Sequence, residues 1–315
     1  MQRSQSKGMS KKTKKLIFCS YSCVYSSLVL NKILEDKNID VVAIVNSSRI
    51  LKPNYGALRG SLEQIRLSGW RYSTYLFLIT DVFHWLQFLL KYRKQSLNTI
   101  HGIAKQHDIP IINSKDINDK ESLAFVCKQD ADVLLAAHFN QLVKPAILNI
   151  QGLECLNLHP SLLPAFKGVD PVFYALLQKK GGMGISLHKM AESFDTGAVL
   201  SQWEYSLQYR HGVNNNCLFS INCELFSKGA ELAVSWINKS SPDSHSQILS
   251  SISLAATSST TLNTTPNTEA ETKSKSSDQY DSWPNVEKIK EFSKLGNKLM
   301  CLAAYLSLIF SGKKR

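Results

Sequence analysis

The stretch that decides the fold runs from Asp132 to Leu158. It begins with Asp132-Val-Leu-Leu-Ala-Ala137, continues through a short helical pattern at Leu142–Leu148 and ends with Cys155-Leu-Asn-Leu158. Short apolar or β-branched runs of this kind are typical of strands buried on both faces of a parallel sheet. A strand, a helix and a second strand in succession predict a right-handed βαβ unit.

The same alternation continues on both sides of this stretch, and it predicts an α/β protein with a mostly parallel sheet. A closing pair of strands and a long helix follow the alternating part. The predicted strands are Lys15–Ser20, Asp40–Asn46, Ile109–Ile112, Gly184–His188 and Ala198–Trp203, and the predicted helices are Asp119–Lys128 and Asn214–Lys239.

Length and composition exclude several classes of protein. The chain has 315 residues, of which 43% are hydrophobic and 20% charged, so it is neither wholly disordered, nor collagen-like, nor a disulfide-stapled miniprotein. Its seven cysteines contain no Cys-x-x-Cys pair, which argues against a zinc ribbon or a disulfide framework. Leu16–Ser20 is too short an apolar run for a signal peptide. A reducing cytoplasm is the expected location.

The net charge of +12 is concentrated in three places. Residues 1–15 carry six basic and no acidic residues, and residues 286–315 carry seven basic and two acidic ones. Residues 49–105 hold nine basic residues against Glu63 and Asp81. This distribution favours an anionic surface partner, a membrane or RNA, or else solvated tails that aid solubility.

A helical insert is predicted at about residues 55–105. Within it, residues 75–92 are strongly apolar, and Asp81, His84 and Gln87 recur at helical spacing on a polar face. A spanning helix would need about 20 nearly unbroken apolar residues. A packed amphipathic helix is therefore the first expectation, a surface membrane anchor the second and a transmembrane span the last.

The remaining segments complete the predicted organisation. Residues 1–14 form a basic tail and residues 15–239 the main α/β domain, which contains the insert. Nineteen residues of 240–279 are Ser or Thr and none is aromatic, so this segment is predicted to be a disordered linker. Residues 280–315 begin with Tyr280-Asp-Ser-Trp-Pro284 and continue with a helical pattern.

Three side chains point to acyl transfer. Asn157 and His159 flank one residue at the predicted end of a strand, so both face the edge where open α/β sheets bind ligands. Asp195 lies in a Gly-containing turn that can fold back over this edge. The amide can stabilise an oxyanion, the imidazolium can add charge and donate a proton, and the carboxylate can orient the ring and keep it protonated.

Two plainer interpretations compete with this one. An isolated Asn-x-His at the start of a loop more often satisfies backbone groups than performs chemistry. His159, His188 and Asp195 could also hold zinc, but their spacing matches no standard ligand pattern, so no metal is expected.

Asn157-Leu-His-Pro-Ser-Leu-Leu-Pro164, followed 38 residues after Asn157 by the Asp195-Thr-Gly197 turn, resembles a motif of the formyltetrahydrofolate-dependent formyltransferases. That superfamily includes methionyl-tRNA formyltransferase, glycinamide ribonucleotide formyltransferase and the sugar N-formyltransferases. The resemblance runs with gaps over residues 15–239 and marks the chain as a divergent member.

The resemblance implies a Rossmann-like catalytic domain with Asn157, His159 and Asp195 as its catalytic trio. It also implies 10-formyltetrahydrofolate as co-substrate, an amine as acceptor and no metal. The pterin would lie between the 137–145 loop and the 190–196 turn. The residues expected at the folate are Phe139, Gln141, Leu142, Leu162, Ser193 and Phe194.

Departures from the family pattern leave the acceptor open. The stretch Ser20–Ser27 has no glycine whose backbone could approach a phosphate, which disfavours glycinamide ribonucleotide. The linker and short C-terminal segment do not match the barrel domain typical of methionyl-tRNA formyltransferases, and Lys167 stands where the family commonly has Arg. The first hypothesis is a methionyl-tRNA formyltransferase-like enzyme. The alternatives are a sugar-nucleotide or other small-amine N-formyltransferase, a formyltetrahydrofolate hydrolase, and a non-catalytic binding protein peripheral to the membrane.

Overall fold

The computed structural model describes residues 13–52, 54–90, 97–179, 183–206, 216–239 and 280–310. Nearly all of the predicted basic tail and the whole of the predicted linker at 240–279 lie outside the described residues. So do Lys91 and Tyr92, the last two residues of the predicted 75–92 helix.

A mostly parallel seven-stranded sheet is the centre of the molecule, as the sequence predicts. The strand order is β3-β2-β1-β4-β5-β7-β8, in which the first five strands are parallel and β7 and β8 are antiparallel additions. A separate two-stranded pair, β6-β9, joins two distant parts of the chain. The strands are β1 Lys14–Ser20, β2 Ile39–Ser47, β3 Ile111–Ser114, β4 Val133–Ala137, β5 Glu154–His159, β6 Lys167–Gly168, β7 Gly184–Lys189, β8 Val199–Glu204 and β9 Tyr280–Asp281.

Helices cover both faces of the sheet, which is why its strands are apolar throughout. Leu16 and Phe18 of β1 belong to the core on one face, and Ile17 and Cys19 to the core on the other. The helices are α1 Val24–Leu34, α2 Ala57–Phe77, α3 Phe83–Leu89, α4 Ile100–Gln106, α5 Lys120–Lys128, α6 Pro145–Leu148, α7 Pro171–Gln178, α8 Leu218–Lys239, α9 Val286–Lys294 and α10 Leu302–Phe310.

Side-chain caps mark several helix starts. Asp119 accepts a hydrogen bond from the Ser122 backbone N–H at the start of α5, and Asn285 accepts one from the Lys288 N–H at the start of α9. Such caps satisfy backbone donors that have no partner inside the helix. The predicted helix at Asp119–Lys128 is confirmed, with Asp119 as its cap.

One strand lies two residues later than predicted. The sequence places it at Ile109–Ile112, but β3 is Ile111–Ser114. Pro110 has no backbone N–H and contributes only its carbonyl, which accepts from Ile44 of β2. The continuous register between β2 and β3 therefore begins at Ile111.

The insert is helical, but of the three residues that define its predicted polar face only Asp81 is exposed. Gln87 is buried, and His84 Nε2 lies 2.7 Å from the Ser22 hydroxyl in the loop after β1. A turn with wider hydrogen-bond spacing at Leu78–Val82 joins α2 to α3 and shifts the helical phase. Trp85 and Phe88 of α3 are consequently 60% and 65% exposed.

The C-terminal segment packs onto the main body. Phe292 of α9 is buried and its ring stacks on that of Phe173 in α7, with centroids 4.5 Å apart. Tyr305 of α10 donates a hydrogen bond to the Leu78 carbonyl at 2.6 Å. Among the described helices, none combines the length and apolar character that a membrane crossing requires.

Candidate active site

The three residues predicted to carry the chemistry meet at the carboxyl edge of the sheet. Asn157 and His159 belong to the last half of β5, and Asp195 lies in the turn between β7 and β8. The side chains of His159 and Asp195 are 6% and 8% exposed. The chain thus brings an amide, an imidazole and a carboxylate into one largely buried cluster.

His159 is held between two acceptors. Its Nδ1 lies 3.3 Å from Asp195 Oδ1, and its Nε2 lies 3.0 Å from the Phe166 carbonyl oxygen. A neutral ring can donate from only one nitrogen, whereas an imidazolium satisfies both acceptors. The arrangement therefore suits a positively charged His159 beside the carboxylate.

His188 positions the amide of Asn157, a role that the sequence did not reveal. Asn157 Nδ2 donates to His188 Nε2 at 3.0 Å, and His188 Nδ1 donates to its neighbour's carbonyl at Lys189, 2.8 Å away. Burial, together with the positive charge of His159, holds the pKa of His188 below its usual value. A neutral His188 thus orients one amide N–H of Asn157 and leaves the other for a ligand.

The turn that carries Asp195 is fixed by close backbone contacts. A side chain at Gly197 would overlap the Lys189 carbonyl oxygen, so only glycine lets this turn fold onto the end of β7. The Gly168 N–H donates to Asp195 Oδ2 at 3.0 Å. Asp195 therefore uses one oxygen for His159 and the other for the backbone.

Two of the residues expected at the folate have other contacts in the structure. Gln141 is buried: its Oε1 accepts from the Ile117 N–H, and its Nε2 donates to Ser47 Oγ and the Ser114 carbonyl. Its side chain thus connects its own loop to the ends of β2 and β3 and to the loop that follows β3. The Leu142 carbonyl accepts from Asn118, and this bond shapes the same loop.

The other expected folate residues lie on both sides of the trio. Phe139 packs at the border of the core that contains Ile117, and Leu162 is half-buried after β5. Ser193 and Phe194 are exposed on the turn that precedes Asp195. These residues border the part of the sheet edge between the 137–145 loop and the 190–196 turn, which is called here the rim.

The loop after β1 offers few free backbone donors. The Ser22 N–H donates to Asn46 Oδ1 at 3.1 Å, and the Cys23 N–H donates to Ser26 Oγ at 2.8 Å. The Tyr21 N–H is taken by the His138 carbonyl. These bonds occupy donors that a phosphate would need at the start of α1.

The suggested zinc ligands do cluster, but in a different arrangement. His188 Nε2 is 3.8 Å from Asp195 Oδ1 and accepts from Asn157. Across the described ranges, no group of three or more His, Cys, Asp or Glu side chains has an arrangement suited to a metal ion.

Residues 74–212 match the family model described as formyl transferase. Over this range the chain is similar to the formyl transferase family. The matched range contains Asn157, His159, His188 and Asp195, whereas β1, α8 and the C-terminal segment lie outside it.

Curated relatives carry the same family name. A methionyl-tRNA formyltransferase of Thermotoga maritima is 31% identical over 115 residues, which is 36% of this chain and 37% of the relative. One from Bacillus thuringiensis is 31% identical over 139 residues, which is 44% of this chain and 41% of the relative. The chain therefore spans about two fifths of the length of these relatives.

Solved structures of formyltransferases are also similar to the chain. Phosphoribosylglycinamide formyltransferase from Bacillus halodurans is 16% identical, with a TM-score of 0.45 over 72% of this chain and 94% of the other. A sugar N-formyltransferase from Shewanella is 16% identical, with a TM-score of 0.42 over 71% and 68% of the two chains.

Proposed function

We propose that this protein moves the formyl group of 10-formyltetrahydrofolate to an amine. The observation that carries the proposal is the His159–Asp195 pair at the carboxyl edge of the sheet, to which Asn157 is connected through His188. Asn157 and His159 can stabilise a developing oxyanion, and Asp195 holds the imidazole in place.

The proposed reaction forms one C–N bond and breaks another. The acceptor amine attacks the formyl carbon, and the carbonyl electrons move onto oxygen, where the free N–H of Asn157 and the charge of His159 stabilise them. Collapse of this intermediate breaks the bond to N10, which takes up one proton, while the acceptor nitrogen, positively charged after its attack, loses one. For His159 to supply that proton from Nε2, its bond to the Phe166 carbonyl must be exchanged for one to N10.

The folate would lie along the rim between the 137–145 loop and the 190–196 turn. We propose that Phe139, Leu142 and Leu162 supply its apolar contacts and that Ser193 and Phe194 contact it from the turn. Gln141 would act indirectly, by fixing the loop through its three hydrogen bonds. No metal is part of this proposal.

The acceptor we place first is an aminoacyl-tRNA, because the curated relatives are methionyl-tRNA formyltransferases. An amino-sugar nucleotide is the second candidate. The backbone N–H groups of Ser22 and Cys23 after β1 already have acceptors, which argues against a phosphate at that position and therefore against glycinamide ribonucleotide as the acceptor. Hydrolysis of the donor by water remains the alternative reaction.

Mass spectrometry of candidate acceptors tests this function. Purified protein with 10-formyltetrahydrofolate and either methionyl-tRNA or amino-sugar nucleotides should add one formyl group to one acceptor class. Formate release without a formylated amine would indicate a hydrolase instead.

Variants of the trio test the mechanism. Asn157→Ala removes an oxyanion donor and His159→Ala removes the charge, so each should lower kcat by about a hundredfold or more while donor binding is largely retained. Near-normal kcat in either variant would contradict the mechanism.

A contact with an anionic membrane surface is proposed as a second property of the insert. Trp70, Phe77, Trp85 and Phe88 are each more than half exposed, although they are large and apolar. Further exposed apolar residues lie on α2, α3 and α10, namely Leu58, Leu62, Ile65, Leu67, Leu89, Leu302, Leu306 and Phe310.

Basic residues next to this apolar face favour an anionic lipid surface as its partner. Arg59, Arg66 and Arg71 are exposed on α2. Apolar burial in the headgroup region and attraction to anionic lipid add to each other, the latter by about 1 kcal/mol per basic residue near the surface. The expected binding is weak, reversible and sensitive to salt.

A further inference from the structure

The segment Tyr280-Asp-Ser-Trp-Pro284, called here the strap, lies beside β6, in the connection between β5 and α7. Its first two residues form β9, which pairs in parallel with β6, so that Tyr280 is opposite Lys167 and Asp281 opposite Gly168. The Val169 N–H also donates to the Asp281 carbonyl at 2.8 Å. Gly168 has φ +108°, and any Cβ there would overlap the backbone of Asp281. The two backbones therefore approach as closely as glycine allows.

Contacts further along the strap hold it in this position. The Tyr174 hydroxyl of α7 donates to the Ser282 carbonyl at 2.6 Å. The ring of Trp283 packs edge-on against Tyr72 of α2, with centroids 6.3 Å apart, and Pro284 is buried. The strap is thus anchored to α7 and to the insert, and not only to β6.

Two contacts connect the strap to Asp195. Gly168, which pairs with the strap, donates its N–H to Asp195 Oδ2. The ring of Tyr280 faces that of Phe194, the residue before Asp195, with centroids 6.0 Å apart. Burial and the negative charge of Asp195 raise the pKa of Tyr280 to about 12, so its phenol is neutral at physiological pH.

Both rings of this pair remain open to a ligand. Tyr280 is 47% and Phe194 41% exposed, although the carboxylate between them and His159 is buried. An exposed aromatic pair next to a buried polar cluster offers flat apolar surface to a ligand whose reacting group lies in that cluster.

We propose that Tyr280 binds the aryl ring of the folate donor. The proposal rests on the proposed function: the formyl group is attached to N10, and N10 is bonded directly to that aryl ring. A donor with its formyl carbon at His159 must therefore place the ring within a few ångströms of the trio, where Phe194 and Tyr280 are the exposed aromatic groups of the described turn and strap. A neutral Tyr280 presents a ring face, and its hydroxyl is not required.

Calorimetric titration with tetrahydrofolate tests the proposal in the full-length protein. Tyr280→Ala should weaken binding roughly three- to tenfold, as expected for the loss of one aromatic contact, whereas Tyr280→Phe should bind like the wild type. Tyr280→Leu keeps apolar bulk without an aromatic face, so its affinity for tetrahydrofolate should lie between those of Tyr280→Ala and Tyr280→Phe. Phe88→Ala, at an exposed aromatic residue on α3, is the matched control and should leave binding unchanged.

Steady-state kinetics separate binding from a merely structural effect. Tyr280→Ala should raise KM for 10-formyltetrahydrofolate and leave kcat and the melting temperature near wild-type values. Wild-type tetrahydrofolate affinity in Tyr280→Ala, or a loss confined to kcat, would overturn the assignment of Tyr280 alone. A wild-type protein that binds no tetrahydrofolate would overturn the proposed function as well.

Discussion

His159 and His188 lie with their ring centroids 6.4 Å apart, yet their surroundings favour opposite protonation states. His159 faces a carboxylate and a carbonyl, which both accept. His188 faces the amide N–H of Asn157 on one side and is buried, so its neutral form is favoured. One charged and one neutral imidazole can thus coexist around Asp195.

The neutral state of His188 predicts a pH dependence of the reaction. Protonation would replace the acceptor lone pair on Nε2 by a donor and break the bond from Asn157. Since burial holds the pKa of His188 below its ordinary value of 6.5, kcat should fall on the acidic side as the pH drops below 6.5. A pH–rate profile measures this acidic limb.

His188→Gln distinguishes this group from others that titrate. The Gln carbonyl can still accept from Asn157 but does not titrate, so the acidic limb should move to lower pH. His101→Gln, at an exposed histidine of α4, should leave the profile unchanged. An identical acidic limb in His188→Gln would assign the limb to another residue.

At the scale of elements, β6 and β9 are short, but their pairing joins the strap to the loop that carries Gly168. We predict that Gly168→Ala lowers kcat by about tenfold or more, because a Cβ would push the Asp281 backbone away and displace the N–H that holds Asp195. Steady-state kinetics and thermal unfolding of the same preparation measure the two effects.

Gly152→Ala is the matched control for backbone strain. Gly152 also has a positive φ, +83°, but a Cβ there would meet no atom within 4 Å. This variant should cost about 1 kcal/mol of stability and leave kcat unchanged. Equal effects of both substitutions on kcat would show that strain, and not the strap, accounts for the loss.

On the scale of the whole molecule, the exposed apolar residues are concentrated on the insert and α10, and the basic residues of α2 lie among them. We predict co-sedimentation with vesicles that contain phosphatidylglycerol, but not with phosphatidylcholine alone, and loss of binding in moderate salt. The double variant Trp85→Glu/Phe88→Glu should remain in the supernatant.

Val199→Glu, at an exposed apolar residue on β8, is the control and should bind vesicles like the wild type. Equal recovery in the supernatant with both lipids at low salt would contradict the membrane contact. Concentration-dependent dimerisation that the double variant abolishes would assign the apolar face to a second copy of the chain.

The sequence by itself predicted the sheet and the three residues proposed to be catalytic, Asn157, His159 and Asp195. Strand and helix patterns are local, so the alternation around Asp132–Leu158 is enough to predict parallel strands buried on both faces. Asn157 and His159 are two residues apart on one strand, and their common orientation follows from its period. Asp195 could be assigned because the Asp-x-Gly turn stands at a characteristic distance from them.

Only the tertiary structure decided the contacts between distant parts of the chain. His188 is an ordinary strand residue until β7 pairs with β5 and sets its ring against Asn157. Tyr280 reaches Phe194 because β9 pairs with β6. The outer face of the insert likewise depends on the wide turn at Leu78–Val82 and on the bond from His84 to Ser22. These features arise from long-range pairing and helical phase, which a local pattern of residues does not encode.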